Sequence, residues 1–150
     1  MLALISVLAT AVVYGTDVFC ALVQRPALAA VDDRALVAVM GNVHRYGDRR
    51  MPVPGVLGGV AAIASAALFA LAGQWAQTIT AMCAVAVLLA WIALYVRVSA
   101  PINRQLTAAA TSGQVAADAR VLQSNWDRII NARAILQGLA LAALCLTLIA

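Results

Sequence analysis

At 150 residues the chain is too short for several domains, and with 65% hydrophobic against 11% charged side chains it is too apolar for an ordinary soluble one. Its net charge of +4 rests on arginine alone, and the arginines flank apolar runs instead of forming a basic stripe interleaved with aromatics, which excludes a nucleic-acid-binding surface. Cys20, Cys83 and Cys145 fall inside apolar runs without CxxC spacing or a histidine neighbour, so neither a disulfide framework nor a metal site is expected, and all three read as small buried hydrophobes.

The first predicted element is an apolar span from Leu2 to Val23. It has no basic residue ahead of it and is too long for the apolar region of a secretory signal, so Ala27, Leu28 and Ala29 are not read as a cleavage site. Asp17 is the only acidic residue inside any apolar run. A carboxylate there must be paired, protonated or turned to a wet cavity, which makes it a functional candidate. Thr10, Tyr14, Asp17, Ala21 and Gln24 follow helical spacing and form a stripe expected to face the bundle interior.

The first connection, residues 24–53, carries Arg25, Arg34, Arg45, Arg49 and Arg50. Asp32 and Asp33 predict a helix start, after which Leu36, Val39, Met40, Val43 and Tyr46 recur as the apolar face of a helix lying at the membrane interface. His44, the only histidine, titrates near neutrality and is a proton-transfer candidate, although such a position also suits a plain polar-face residue.

A second span follows Pro52 and Pro54 and ends near Gly73; in it Gly58, Ala62 and Ala66, with Gly55 and Gly59 beside them, predict close approach of a neighbouring helix. The third span covers Ala76 to Val96, with Trp75 anchoring its outer edge and Tyr95 and Arg97 its inner edge. Pro101 predicts the opening of a separate short helix, broken near Thr111, Ser112 and Gly113. From Gln114 onward Val115, Ala119, Leu122, Trp126 and Ile129 keep one apolar face and lead into a fourth span, Ala134 to Ala150. One unbroken helix of about 55 Å would result, projecting well out of the membrane. Arg133 stands at the inner end of that span, with Gln137 a turn deeper and Asn131 just before it. It is the natural partner for Asp17, either as a pair that fixes helix register or as part of a ligand site.

The expected fold is all-α: an integral membrane four-helix bundle with an interfacial helix in the first connection and a long last helix reaching into the cytoplasm. Every arginine lies in the first or third connection or at its border with a span, and the turn from Gly73 to Gln77 has none. The positive-inside bias then puts both long connections in the cytoplasm and both termini outside a multi-pass protein of the cell membrane.

Pro101, Ile102, Asn103, Arg104, Gln105 and Leu106 after a span, with Trp126 and Arg133 at the start of the last one, resemble the anthrone oxygenase-like family of small four-span membrane proteins. Gly15, Asp17, Phe19, Arg25 and Pro26, with His44 and Arg45, are similar to actinobacterial-looking members of that group, and the resemblance covers nearly the whole chain. It implies an oxygenase of polycyclic aromatic anthrones that uses O2 and no cofactor. An anthrone's activated CH2 is acidic enough for a modest base, and the carbanion so formed reduces O2 directly, so a base and an oxyanion stabiliser suffice. The resemblance makes His44 or Asp17 the base, gives the enolate oxygen to Asn103 and Arg133, and stacks Trp126 or Trp91 on the rings; Tyr14, Asn131 and Gln137 complete the candidate ligand-binding set. Many relatives carry a histidine three residues before the arginine, where this chain has Ile130; Asn131 beside it offers hydrogen bonds but no proton at neutral pH.

A second reading is a non-enzymatic membrane module that binds a lipid, an apolar ligand or a partner protein, its polar groups serving as structural glue. Transport is disfavoured, since four short spans with one buried acid make a poor conduit unless they assemble as a homo-oligomer, and no inverted repeat is visible.

Overall fold

The structure is a computed structural model that describes residues 1–149. Among these residues the chain forms five helices and no strand: α1 (Leu2–Ala29), α2 (Asp33–Arg50), α3 (Pro52–Leu71), α4 (Trp75–Ser112) and α5 (Ala119–Leu146). Four stretches, α1, α3 with the α2 that leads into it, α4 and α5, are long and apolar enough to cross a membrane. Their apolar parts close into a ring in which α1 packs on α3, α3 on α4, α4 on α5 and α5 back on α1.

Small side chains fill this ring and large ones face outward. Ala61, Ala62, Ala81, Ala84 and Ala140 are buried, while Leu4, Leu8, Ile135 and Leu139 are about half exposed or more. Small residues at these contacts let the apolar helices approach backbone to backbone. Gly58 is where α1 comes nearest: a Cβ there would lie 3.0 Å from Thr10 Oγ1, and the Ser6 hydroxyl donates to the Gly58 carbonyl at 3.0 Å. Gly58, Ala62 and Ala66 thus form the expected packing row. Gly55 and Gly59 do not belong to it, since a Cβ at either meets nothing within 4 Å.

Both α1 and α4 run through a proline. In each, a π turn precedes it, Cys20–Gln24 before Pro26 and Tyr95–Ser99 before Pro101, and the N–H just ahead of the proline reaches five residues back, Arg25 to the Cys20 carbonyl and Ala100 to the Tyr95 carbonyl. Proline lacks an N–H and crowds the carbonyl of the preceding turn; a widened turn absorbs the misfit and lets the helix continue. This overturns the expectation that Pro101 opens a separate helix.

Below the ring lies a second layer made of α2, the ends of α1 and α4 and the start of α5. Leu28, Leu36, Met40, Leu106, Leu122 and Ile130 form its apolar core. Asp32 starts α2 by accepting the Ala35 N–H at 2.7 Å. The buried face of α2 runs through Leu36, Val37, Met40, Gly41 and His44; of the predicted apolar face only Leu36 and Met40 belong to it, while Val39, Val43 and Tyr46 are exposed. Gly41 explains the rotation. A Cβ there would run into Ala110 Cβ and lie 2.5 Å from the Leu106 carbonyl oxygen, so only this side of α2 can seat against α4. The Thr107 hydroxyl donates to the Gly41 carbonyl across the contact at 3.2 Å.

The last helix is shorter than expected and does not project alone. Gly113, left-handed at φ 69°, ends α4, and α5 starts only at Ala119; its 28 residues span about 42 Å. Ala119, Leu122, Trp126 and Ile130 bury its first half in the second layer. Arg120 fastens that half to the α1–α2 connection, donating from Nε to Asp33 at 2.6 Å, from NH1 to the Leu28 carbonyl at 3.0 Å and from NH2 to the Val31 carbonyl. Ala150, expected at the end of this helix, lies outside the described residues. The cysteines are free, and only Cys20 is buried; Cys83 and Cys145 face outward from apolar helix surfaces, against expectation.

Candidate functional site

Where the ring meets the second layer there is a cavity of about 520 Å³. Val13, Val56, Val60, Leu88, Leu89 and Ile92 give it apolar walls, and at one end Asp17, His44, Asp48, Tyr95, Asn103 and Arg133 make it polar. Arg133 organises that end. Its NH2 donates to Asp17 Oδ1 at 2.6 Å and its NH1 to the Ser99 hydroxyl at 2.8 Å, while the Trp91 indole N–H donates to Asp17 Oδ2 at 2.8 Å. The two charged side chains are only 8% and 2% exposed. A pair this dry needs further hydrogen bonds to hold, and Ser99 and Trp91 each supply one. Three aromatic rings surround the guanidinium as well, with Arg133 Cζ 5.2 Å from the ring centre of Trp91, 5.6 Å from Tyr95 and 5.4 Å from Trp126.

Asp48 forms a second polar centre. Its Oδ1 accepts from the Tyr95 hydroxyl at 2.8 Å and from Asn103 Nδ2 at 2.9 Å, and Asn103 Oδ1 accepts the Trp126 indole N–H at 3.1 Å. The Trp126 ring in turn meets the His44 imidazole, centre to centre at 5.6 Å and tilted by 50°. The two π turns serve this network, because α4 carries Tyr95 and Ser99 in its widened turn while α1 has Asp17 just before its own. Such turns recur at functional sites because they re-aim side chains without ending the helix.

Four lining residues carry a buried polar atom that has no protein partner: Gln24 Oε1, His44 Nε2, Arg133 Nε and Gln137 Oε1. Unpartnered buried groups are rare in folded proteins, and on a cavity wall they are where a ligand's polar atoms would be met. His44 belongs to α2, in the second layer below the ring, and is 5% exposed. Burial pushes its pKa down to about 4, Arg133 adding to the effect and Asp48 opposing it, so the imidazole is neutral at pH 7.

Of the residues singled out in the sequence, Asp17, His44, Trp91, Asn103, Trp126, Arg133 and Gln137 all line the cavity. Tyr14 does not: it packs on α5 beside Gly138, where an added Cβ would lie 3.1 Å from the tyrosine Cε2. Asn131 is exposed and also stands apart. Asp17 has both oxygens engaged, so it holds Arg133 and Trp91 in place and is not a free base. Asp48 and Ser99 went unassigned in the sequence, and Tyr95 stood only as an interface anchor. His44 and Asp48 are four apart on one helix, as are Arg133 and Gln137 on another, and that shared-face spacing was the available signal.

Among the described residues no three His, Cys, Asp or Glu side chains gather as a metal-holding group. No family model, curated protein or solved structure matches the chain.

Proposed function

We propose that the chain is a multi-pass membrane protein whose cavity binds a planar aromatic substrate and oxygenates it with O2 after proton abstraction, in the manner of the anthrone oxygenase-like proteins it resembles. The observation that carries the reading is the coincidence of one roomy apolar cavity, a ring-lined Arg133 and a neutral, unpartnered His44 at the same end. A volume of about 520 Å³ suits a small organic molecule, and apolar walls with a few polar groups are the usual make-up of such sites.

The His44 imidazole takes a proton from an activated CH2 beside the substrate's carbonyl. Negative charge moves to that carbonyl oxygen, which Arg133 Nε and the second amide proton of Asn103 stabilise as it develops. The carbanion's electron pair then forms a C–O bond to O2, and the resulting peroxide takes the proton back from the imidazolium. Loss of water leaves a carbonyl, so each CH2 oxidised to C=O consumes one O2 and releases one water. With an anthrone as substrate, the purified protein in lipid nanodiscs is expected to take up O2 in step with quinone formation, followed by mass. Well-folded protein that turns over no anthrone, yet copurifies with a stoichiometric ligand, would favour the non-enzymatic reading instead.

The arginine distribution supports an orientation with the second layer in the cytoplasm and both termini outside, since all ten arginines belong to that layer or its junction with the spans. A phosphatase reporter fused to the C-terminus should therefore be active in cells. A reporter active only in the cytoplasm overturns the orientation.

A further inference from the structure

The cavity is not closed on all sides. It runs along α3 from Pro52 to Ile63 and along α4 from Val85 to Val96, about 16 Å on each helix. Val56 and Val60 on α3 and Leu89 and Val96 on α4 line it and yet are 57–63% exposed. The cavity therefore opens sideways through a seam between α3 and α4, whereas its far wall, with Val13, Asp17 and Arg133, is buried. Gly55 and Gly59 stand on the cavity side of α3, and a Cβ at either would meet nothing within 4 Å. They leave room at the seam and serve no helix contact.

The polar end constrains what can sit there. That end holds two carboxylates, Asp17 bonded to Arg133 and Asp48 bonded to Tyr95 and Asn103, and one guanidinium, with His44 neutral. A carboxylate or phosphate head would meet a net negative surround and lose its hydration, which disfavours fatty acids and phospholipids. A neutral ring, by contrast, can donate from a hydroxyl to Gln137 Oε1 while its carbonyl accepts from Arg133 Nε, two of the atoms left without partners.

Resting on the aromatic-substrate reading above, we propose that the substrate is a membrane-resident amphiphile: a neutral hydroxylated aromatic ring seated at the Arg133 end, with an aliphatic or prenyl tail that lies in the α3–α4 seam and reaches the lipid. A tail gains little on moving from lipid into an apolar slot, because the two surroundings are equally apolar. The seam's role is access. It lets the ring reach Arg133 while the tail never leaves the bilayer.

The test uses the full chain in phosphatidylcholine nanodiscs with a long-chain alkylresorcinol that carries a diazirine midway along its tail. Photolysis should label α3 and α4 at the seam, around Val56, Val60, Leu89 and Val96, and an unlabelled alkylresorcinol should compete where a fatty acid of equal length does not. Gly59→Leu, placed where no atom lies within 4 Å, should abolish the seam labels, while Gly15→Leu, in equally open space on α1, should leave them. Labels spread evenly over the outward faces of α1 and α5, or equal competition by the fatty acid, overturn the proposal. Seam labelling by protein that takes up no O2 with an anthrone would sink the oxygenase reading alone; anthrone turnover by protein that shows no seam labelling would sink the tailed substrate alone.

Discussion

Asp17→Asn should destabilise the folded protein by about 3–5 kcal/mol, because it leaves the Arg133 guanidinium buried without the carboxylate bonded to it. The substitution is nearly isosteric, and the amide oxygen can still accept from the Trp91 indole at the position Asp17 Oδ2 now occupies. The amide nitrogen then faces Arg133 NH2, so the charge and that hydrogen bond are lost together. Two features make the effect large: the pair is all but excluded from water, and Asp17 is the one carboxylate bonded to Arg133, whose other guanidinium partner is the neutral Ser99 hydroxyl. Replacing both partners, as in Asp17→Leu with Arg133→Met, removes the desolvation penalty along with the attraction and should recover most of the loss. Thermal unfolding in mild detergent for the two single variants and the double gives the coupling. If the singles are no less stable than the double, the pair does not hold the ring to the second layer. The double variant should also lose binding of any hydroxylated ring, which separates a site that needs Arg133 from one that needs only a filled space.

That pair was legible in the sequence because a charge inside an apolar run has very few places to go. Gly58, Ala62 and Ala66 were legible for the related reason that small residues at four-residue spacing invite a neighbouring helix. Three other features were not legible, two of them because they depend on contacts between segments far apart in the chain. Asp48 reads as one more charge in an arginine-rich stretch until Tyr95 and Asn103, 47 and 55 residues further on, are seen to bond it. The buried face of α2 is chosen by Gly41 fitting against Ala110 and Leu106, and a hydrophobic periodicity that also includes Val39, Val43 and Tyr46 cannot choose between two apolar faces. Pro101 follows a local rule for helix starts, yet the five-residue reach of the Ala100 N–H keeps α4 continuous. Tyr14 fell outside the site because its stripe, from Thr10 to Gln24, is wide enough to meet both the cavity and α5, and Gly138 opens the space on the α5 side.

Removing the base should have the largest effect on turnover: His44→Gln is expected to slow anthrone oxidation by about 10²–10⁴-fold, the usual worth of a positioned general base. The pH profile identifies the group. An ordinary histidine would lose its basic form as pH falls through 6.5, but His44, at about 4, stays neutral far lower. The wild-type rate should therefore be level from neutral pH down to about pH 5 and fall only as pH passes through about 4. The same depression gives a readout that needs no substrate. Between about 4 and 6.5 the unfolded chain binds a proton at this histidine and the folded chain does not. Acidification through that window must then favour unfolding, with a total loss on the order of 3 kcal/mol from this residue once pH is below both values. His44→Gln should remove that slope, since the amide has nothing to titrate. A variant that loses the stability slope yet keeps both the rate and its acid limb would show that His44 is buried for packing against Trp126 and that another group takes the proton. Loss of both together ties the proton to the one imidazole, because no second histidine exists in the chain to share the role.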